Sequence, residues 1–157
     1  MIDATRTKYQ AVLDVQYSIR FNLISTRYYN RLRILIPGAS LLAGMSAATP
    51  VLQAIPYGVM TAGVLVALGA IANALSGFTE KAIRHDIQRQ SYLELLVRSA
   101  PLSVEELDAQ SNDIDRRWSN EVERLRVVAY NDNVRSAGWD AEVMPESFGH
   151  RFMRMLA

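Results

Sequence analysis

Few side chains in this sequence are placed to do chemistry. Its 157 residues include no cysteine, which removes thiolate nucleophiles, thiolate metal sites and disulfides together. The two histidines, His85 and His150, are far apart in sequence and form no multi-His metal motif. His85-Asp86 is an acid–base pair of neighbours, but adjacent residues on a helix point about 100° apart, so His85 reads as a surface or interface residue. Glu105-Glu106 and the run Glu121, Glu123, Arg124, Arg126 read as a solvated helical face. The glycines Gly38, Gly44, Gly58, Gly63, Gly69 and Gly77 do not make a phosphate-binding loop. The expectation is a protein that is not an enzyme, with no catalytic residues, no cofactor and no metal. With 17 basic and 16 acidic residues, net +1, nothing points to nucleic acid as a partner.

The informative residues are small and polar ones inside an uncharged run. After Arg33 no Asp, Glu, Lys or Arg occurs until Glu80. At the chain's overall charge density about ten would be expected in residues 34–79. Within the run, Ala62, Val66, Gly69, Asn73, Ser76 and Gly77 share one helical face. Val64, Leu68, Ile71, Leu75 and Phe78 share the opposite one. Ser40, Ala43, Gly44 and Ala47 form a second small face upstream. Such faces let helix backbones approach closely, and Asn73 adds an amide that is costly in hydrocarbon unless bonded or wetted. The candidate pore or helix-packing residues are therefore Ser40, Gly44, Gly69, Asn73, Ser76 and Gly77. They serve either packing within a hairpin or the lining of an oligomeric pore.

The elements that must position these residues follow from length. A bilayer core needs about 20 apolar residues per helix, so two helices and a tight turn come to about 45, the length of the run. Thr49, Pro50 and Pro56 mark the turn. The reading is an all-α membrane protein: a two-helix transmembrane hairpin over residues 34–79, with its first span about 34–51 and its second about 57–78. A buried helical hairpin of a soluble protein is the alternative. Arg20, Arg27, Arg31 and Arg33 precede the run and Lys81, Arg84 and Arg89 follow it. The positive-inside tendency then places both termini in the cytoplasm.

The rest reads as long cytoplasmic helices forming a bundle. Residues 1–33 carry Tyr9, Leu13, Tyr17, Phe21, Ile24, Tyr28 and Leu32 at spacings of three and four. In residues 80–131, Ile83, Ile87, Leu93, Leu96 and Val97 form an apolar half-wheel that ends near Ala100-Pro101. Ser103 and Glu106 make a capping box with Leu102 and Leu107 as its hydrophobic staple. From there Leu107, Ile114, Trp118, Val122, Leu125 and Ala129 make one stripe, with Trp118 and Leu125 as its packing residues. Asn131-Asp132-Asn133 should end that helix before Gly138 does. Residues 132–157 are a less regular tail whose Trp139, Phe148, Phe152, Met153 and Met155 dock on the bundle or on a partner, or form a short amphipathic helix.

This layout resembles the SLATT family of bacterial two-helix membrane effectors. The likeness covers roughly residues 5–130: an N-terminal helix with Tyr28-Tyr29 and Arg31, the uncharged hairpin, and a long helix restarting through Tyr92, Leu95 and Leu96. It implies a homo-oligomeric effector that forms a pore or disrupts the bacterial inner (cytoplasmic) membrane in antiphage defence. The trigger would be a nucleotide second messenger or a partner protein; the chain has no room for a recognisable sensor domain. The competing readings are a membrane anchor or adaptor that recruits a cytoplasmic partner, and a phage holin.

Overall fold

A computed structural model describes residues 6–47, 50, 54–117 and 123–157. Six α-helices and one 3-10 turn account for most of them: α1 Lys8–Ala47, α2 Gly58–Ser76, α3 Phe78–Val97, α4 Val104–Arg117, α5 Glu123–Ser136, the 3-10 turn Asp140–Glu142, and α6 Phe148–Leu156. The chain divides into two compact units. One holds the chain up to Tyr28 together with Ala82–Ala157; the other is Tyr29–Lys81.

The larger unit is a helical bundle built by strong local start signals. Thr7 and Gln10 cap α1 reciprocally: the Thr7 N–H donates to Gln10 Oε1 at 2.8 Å and the Gln10 N–H to Thr7 Oγ1 at 3.3 Å. Ser103 and Glu106 do the same for α4, at 2.8 and 3.2 Å. Leu102 packs against the cluster that buries Leu107, which is the expected staple. One core cluster joins Ala11 and Val15 of α1, Tyr92 and Leu95 of α3, and Leu107 and Ile114 of α4. A second joins Phe21 and Ile24 of α1, Leu125, Val128 and Ala129 of α5, and Met153 of α6. The stripe read as one helix is thus carried by two helices serving two clusters. Its middle, Trp118 and Val122, lies outside the described residues.

Asn131-Asp132-Asn133 does not end α5. The helix runs on to Ser136 and closes in a Schellman turn: Gly138 takes φ 77°, and the Trp139 N–H donates to Val134 O at 3.1 Å. Asn131 stays helical because its side chain, fully buried, is used elsewhere. The tail docks on the bundle through it. The Asn131 amide donates to Met144 O at 2.9 Å, and its carbonyl accepts the Met144 N–H at 2.8 Å. Ser147 and His150 then cap α6.

The face assigned to α3 is corrected. Ile83, Ile87 and Val97 are exposed, whereas Ala82, His85, Gln88, Tyr92 and Leu95 are buried. Apolar periodicity pointed outward because the inward row carries polar side chains that find partners inside.

The smaller unit contains the uncharged run. α2 is bracketed by two residues in the left-handed region, Tyr57 at φ 64° and Gly77 at φ 58°. Gly77, in that region, ends α2 before α3 begins at Phe78. The transmembrane reading is also corrected: among the described residues, no helix is long and apolar enough to cross a membrane. In α1 the uncharged part runs from residue 34 to Ala47, about 20 Å at 1.5 Å per residue, well short of a bilayer core of about 30 Å. In α2, Thr61, Asn73 and Ser76 interrupt a helix of 19 residues. Residues 48, 49 and 51–53, which include the expected turn residue Thr49, lie outside the description.

Candidate functional site

Within the smaller unit the two small faces meet. Gly69 of α2 approaches Ser40 of α1 so closely that a Cβ on Gly69 would overlap Ser40 Oγ and lie 3.2 Å from Ser40 Cβ. Ser40 is held there by its own backbone, its Oγ donating to Ile36 O at 3.0 Å. Two turns further along α2 in the N-terminal direction, Ala62 is buried, 7% exposed. Gly44 is within ordinary contact distance of Val66, whose Cγ2 would be 3.5 Å from an added Cβ. The glycines matter because they remove side chains where two helix axes converge.

Beside this contact lies an open groove of about 600 Å³, lined by Pro37, Ser40, Leu41, Gly44, Met45, Val66, Gly69, Ala70 and Asn73. Asn73 is exposed, and among the described residues its amide has no partner. Ser76 is half-buried and donates through Oγ to Asn73 O at 3.0 Å. Gly77 serves the backbone, supplying the positive φ that ends α2. Of the six residues singled out, Ser40, Gly44, Gly69 and Asn73 therefore line one groove, and Ser76 and Gly77 close the helix below it. At that end Tyr29 stacks at 6.3 Å on Phe78, with Lys81 Nζ 5.7 Å from the Tyr29 ring centroid.

Large apolar side chains on both helices are uncovered, Leu41 and Met45 along the groove and the others outside it. Ile34, Leu35, Leu41, Leu42 and Met45 on α1, and Val59, Met60, Val64, Leu65, Leu68 and Ile71 on α2, are 47–66% exposed. Each leaves roughly 1 kcal/mol of burial unrealised.

In the bundle, Leu125 is fully buried as a packing residue, and Trp118 lies outside the described residues. Sequence reasoning missed a buried polar row. His85, 6% exposed, donates from Nδ1 to Asn22 Oδ1 at 2.8 Å and meets Phe21 edge-on at 6.0 Å. Burial holds its pKa below the ordinary 6.5. Tyr92 donates to Asp115 Oδ1 at 2.6 Å, and Gln88 Nε2 donates to the same oxygen at 3.2 Å. Burial and then the bond to Asp115 raise the Tyr92 pKa. The signal was available: Ala82, His85, Gln88, Tyr92 and Leu95 recur at three and four, and Ala11, Val15, Asn22 and Ser25 at four, seven and three. Asn22, His85, Gln88 and Tyr92 have structural partners, whereas the buried Ser25 Oγ has none among the described residues. Among the described residues no group of His, Asp and Glu could hold a metal ion.

Compared with protein-family models, curated proteins and solved structures, the chain matches none.

Proposed function

We propose that the protein is a membrane-acting effector whose uncharged helical pair engages lipid and disrupts the bacterial inner membrane, with the helical bundle as the part that responds to a trigger. The supporting observation is the exposed apolar surface of α1 and α2 on an element without a single charged side chain between Arg33 and Glu80. Isolated exposed leucines need no explanation, but a uniformly uncharged pair of helices with large apolar residues outward calls for a cover. Lipid and further copies of the chain are the two covers this reading invokes. Arg31, Arg33 and Lys81 lie at one end of the same unit and would favour anionic headgroups.

With no spanning helix among the described residues, the action would be that of an apolar wedge seated in the headgroup and upper acyl region. Several copies joined side by side would weaken the bilayer more than one. The antiphage setting, with a nucleotide second messenger or a partner protein as trigger, is what the resemblance to SLATT effectors would imply for this reading. A trigger acts only by binding the lipid-engaged arrangement more tightly than the resting one.

Flotation with vesicles of phosphatidylethanolamine and phosphatidylglycerol tests this, with release of an entrapped dye as the second readout. The protein should float and release dye, and Leu68→Glu should reduce both. Protein that stays unbound in detergent-free buffer at the bottom of the gradient would overturn the proposal. Flotation without release would favour the anchor or adaptor instead.

A further inference from the structure

The bundle contains a second concavity, independent of the hairpin and of any role for it. It is a cavity of about 300 Å³ between α1, α5 and the turn that follows α5. Three aromatic side chains line it, Tyr17, Tyr130 and Trp139, together with the carboxylates of Asp14 and Glu142 and the amide of Asn133. Among the described residues no lysine or arginine lines it.

The backbone fixes this arrangement. The Schellman turn at Gly138 aims the chain so that Trp139 follows α5 directly, its N–H bonded to Val134 O. The Glu142 N–H then donates to Trp139 O at 2.9 Å, setting the carboxylate one 3-10 turn from the indole. Tyr9 supports Trp139 from outside the cavity, with ring centroids 6.3 Å apart and planes tilted by 59°. Asp14 is shared with Arg6, which also reaches Asp108 at 3.0 Å. Glu142 has no ion pair among the described residues. Aromatic walls with carboxylates at the edge repel phosphates and favour a cation with an apolar skin, because the ring faces and the carboxylates attract positive charge while the walls exclude water.

We propose that this cavity binds a small organic cation bearing an alkylated ammonium group, with Tyr17, Tyr130 and Trp139 as the cage and Glu142 as the counter-ion. Asp14 supplements the field, with part of its charge already met by Arg6. The volume is at the lower end for ligand pockets, which suits an ammonium headgroup, and the carboxylates disfavour the phosphates of a nucleotide.

The probe is choline, compared with its neutral isostere 3,3-dimethylbutan-1-ol. In a Trp118→Phe background Trp139 is the remaining indole of the two in the chain, so its fluorescence reports the cavity. Choline should give a saturable change, with the isostere at least about tenfold weaker. Glu142→Gln should weaken choline about threefold or more and leave the isostere unchanged. Calorimetry on the unsubstituted chain gives the same comparison if Trp118→Phe does not fold. Equal affinity for choline and the isostere, or no saturable signal from choline at tens of millimolar, would overturn the proposal. Neither result depends on vesicle binding, so its failure and the failure of the membrane reading are separate.

Discussion

Replacing Gly69 by alanine should loosen the hairpin, although alanine is the better helix former. In an exposed helix interior Gly→Ala stabilises by about 1 kcal/mol. At Gly69 the new methyl would occupy the space of Ser40 Oγ and press within 3.2 Å of Ser40 Cβ. Ser40 must then turn away, losing its 3.0 Å bond to Ile36 O, worth about 1 kcal/mol net. The remaining crowding between two helices costs about 1–3 kcal/mol. The sum is a net loss of about 1–3 kcal/mol after the propensity gain. Gly63 is the internal control, because a Cβ there meets nothing within 4 Å. Hydrogen exchange of peptides covering α2 reads local stability directly. Gly63→Ala should slow exchange there, Gly69→Ala should speed it, and Ser40→Gly combined with Gly69→Ala should recover much of the loss. If Gly69→Ala slowed exchange as Gly63→Ala does, the close approach of α1 and α2 would be refuted.

Other outcomes follow from the bundle. Leu125→Ala should cost about 2–5 kcal/mol, since the side chain is fully buried among Phe21, Ile24 and Met153; urea unfolding measures it. Ser103→Ala removes the acceptor for the Glu106 N–H and should cost about 1 kcal/mol in the same assay. Asn131→Ala should release the tail, seen as faster tryptic cleavage after Arg151 and Arg154, because the Met144 backbone loses both its partners. His85 gives a pH dependence. Burial lowers its folded pKa, so below pH 6.5 the unfolded chain binds more protons than the folded one. Stability should be complete above that pH and decline as the pH falls below it, and His85→Gln should flatten the decline between pH 7.5 and 5.5.

Local signals in the sequence were readable wherever they act within one turn. The capping box at Ser103 and Glu106 needs no tertiary context, and the opposed faces of α2 follow from spacing alone, small residues toward Ser40 and Leu68 outward. Periodicity failed on α3 because hydrophobicity was the wrong measure there. Ile83, Ile87 and Val97 are apolar yet exposed, while His85, Gln88 and Tyr92 are buried against Asn22 and Asp115, partners distant in sequence. The membrane spans were overread for a related reason. Absence of charge measures how apolar a stretch is, but crossing requires that apolar length sit on one uninterrupted helix, and α1 is uncharged only from residue 34 to Ala47. The Trp139 cavity was not legible, since α1 and the turn after α5 come together only through the fold.

The central claim is that α2 meets lipid with its outward face. The chain has no cysteine, so an environment-sensitive dye can be placed singly at Leu68→Cys, where the native side chain is 57% exposed, and for comparison at Ser136→Cys in the bundle. On addition of anionic vesicles the dye at position 68 should shift to the blue and brighten, and the dye at position 136 should stay as in water. A dye at position 68 that remains water-like while the protein floats with vesicles would contradict the account, because binding would then run through some other surface.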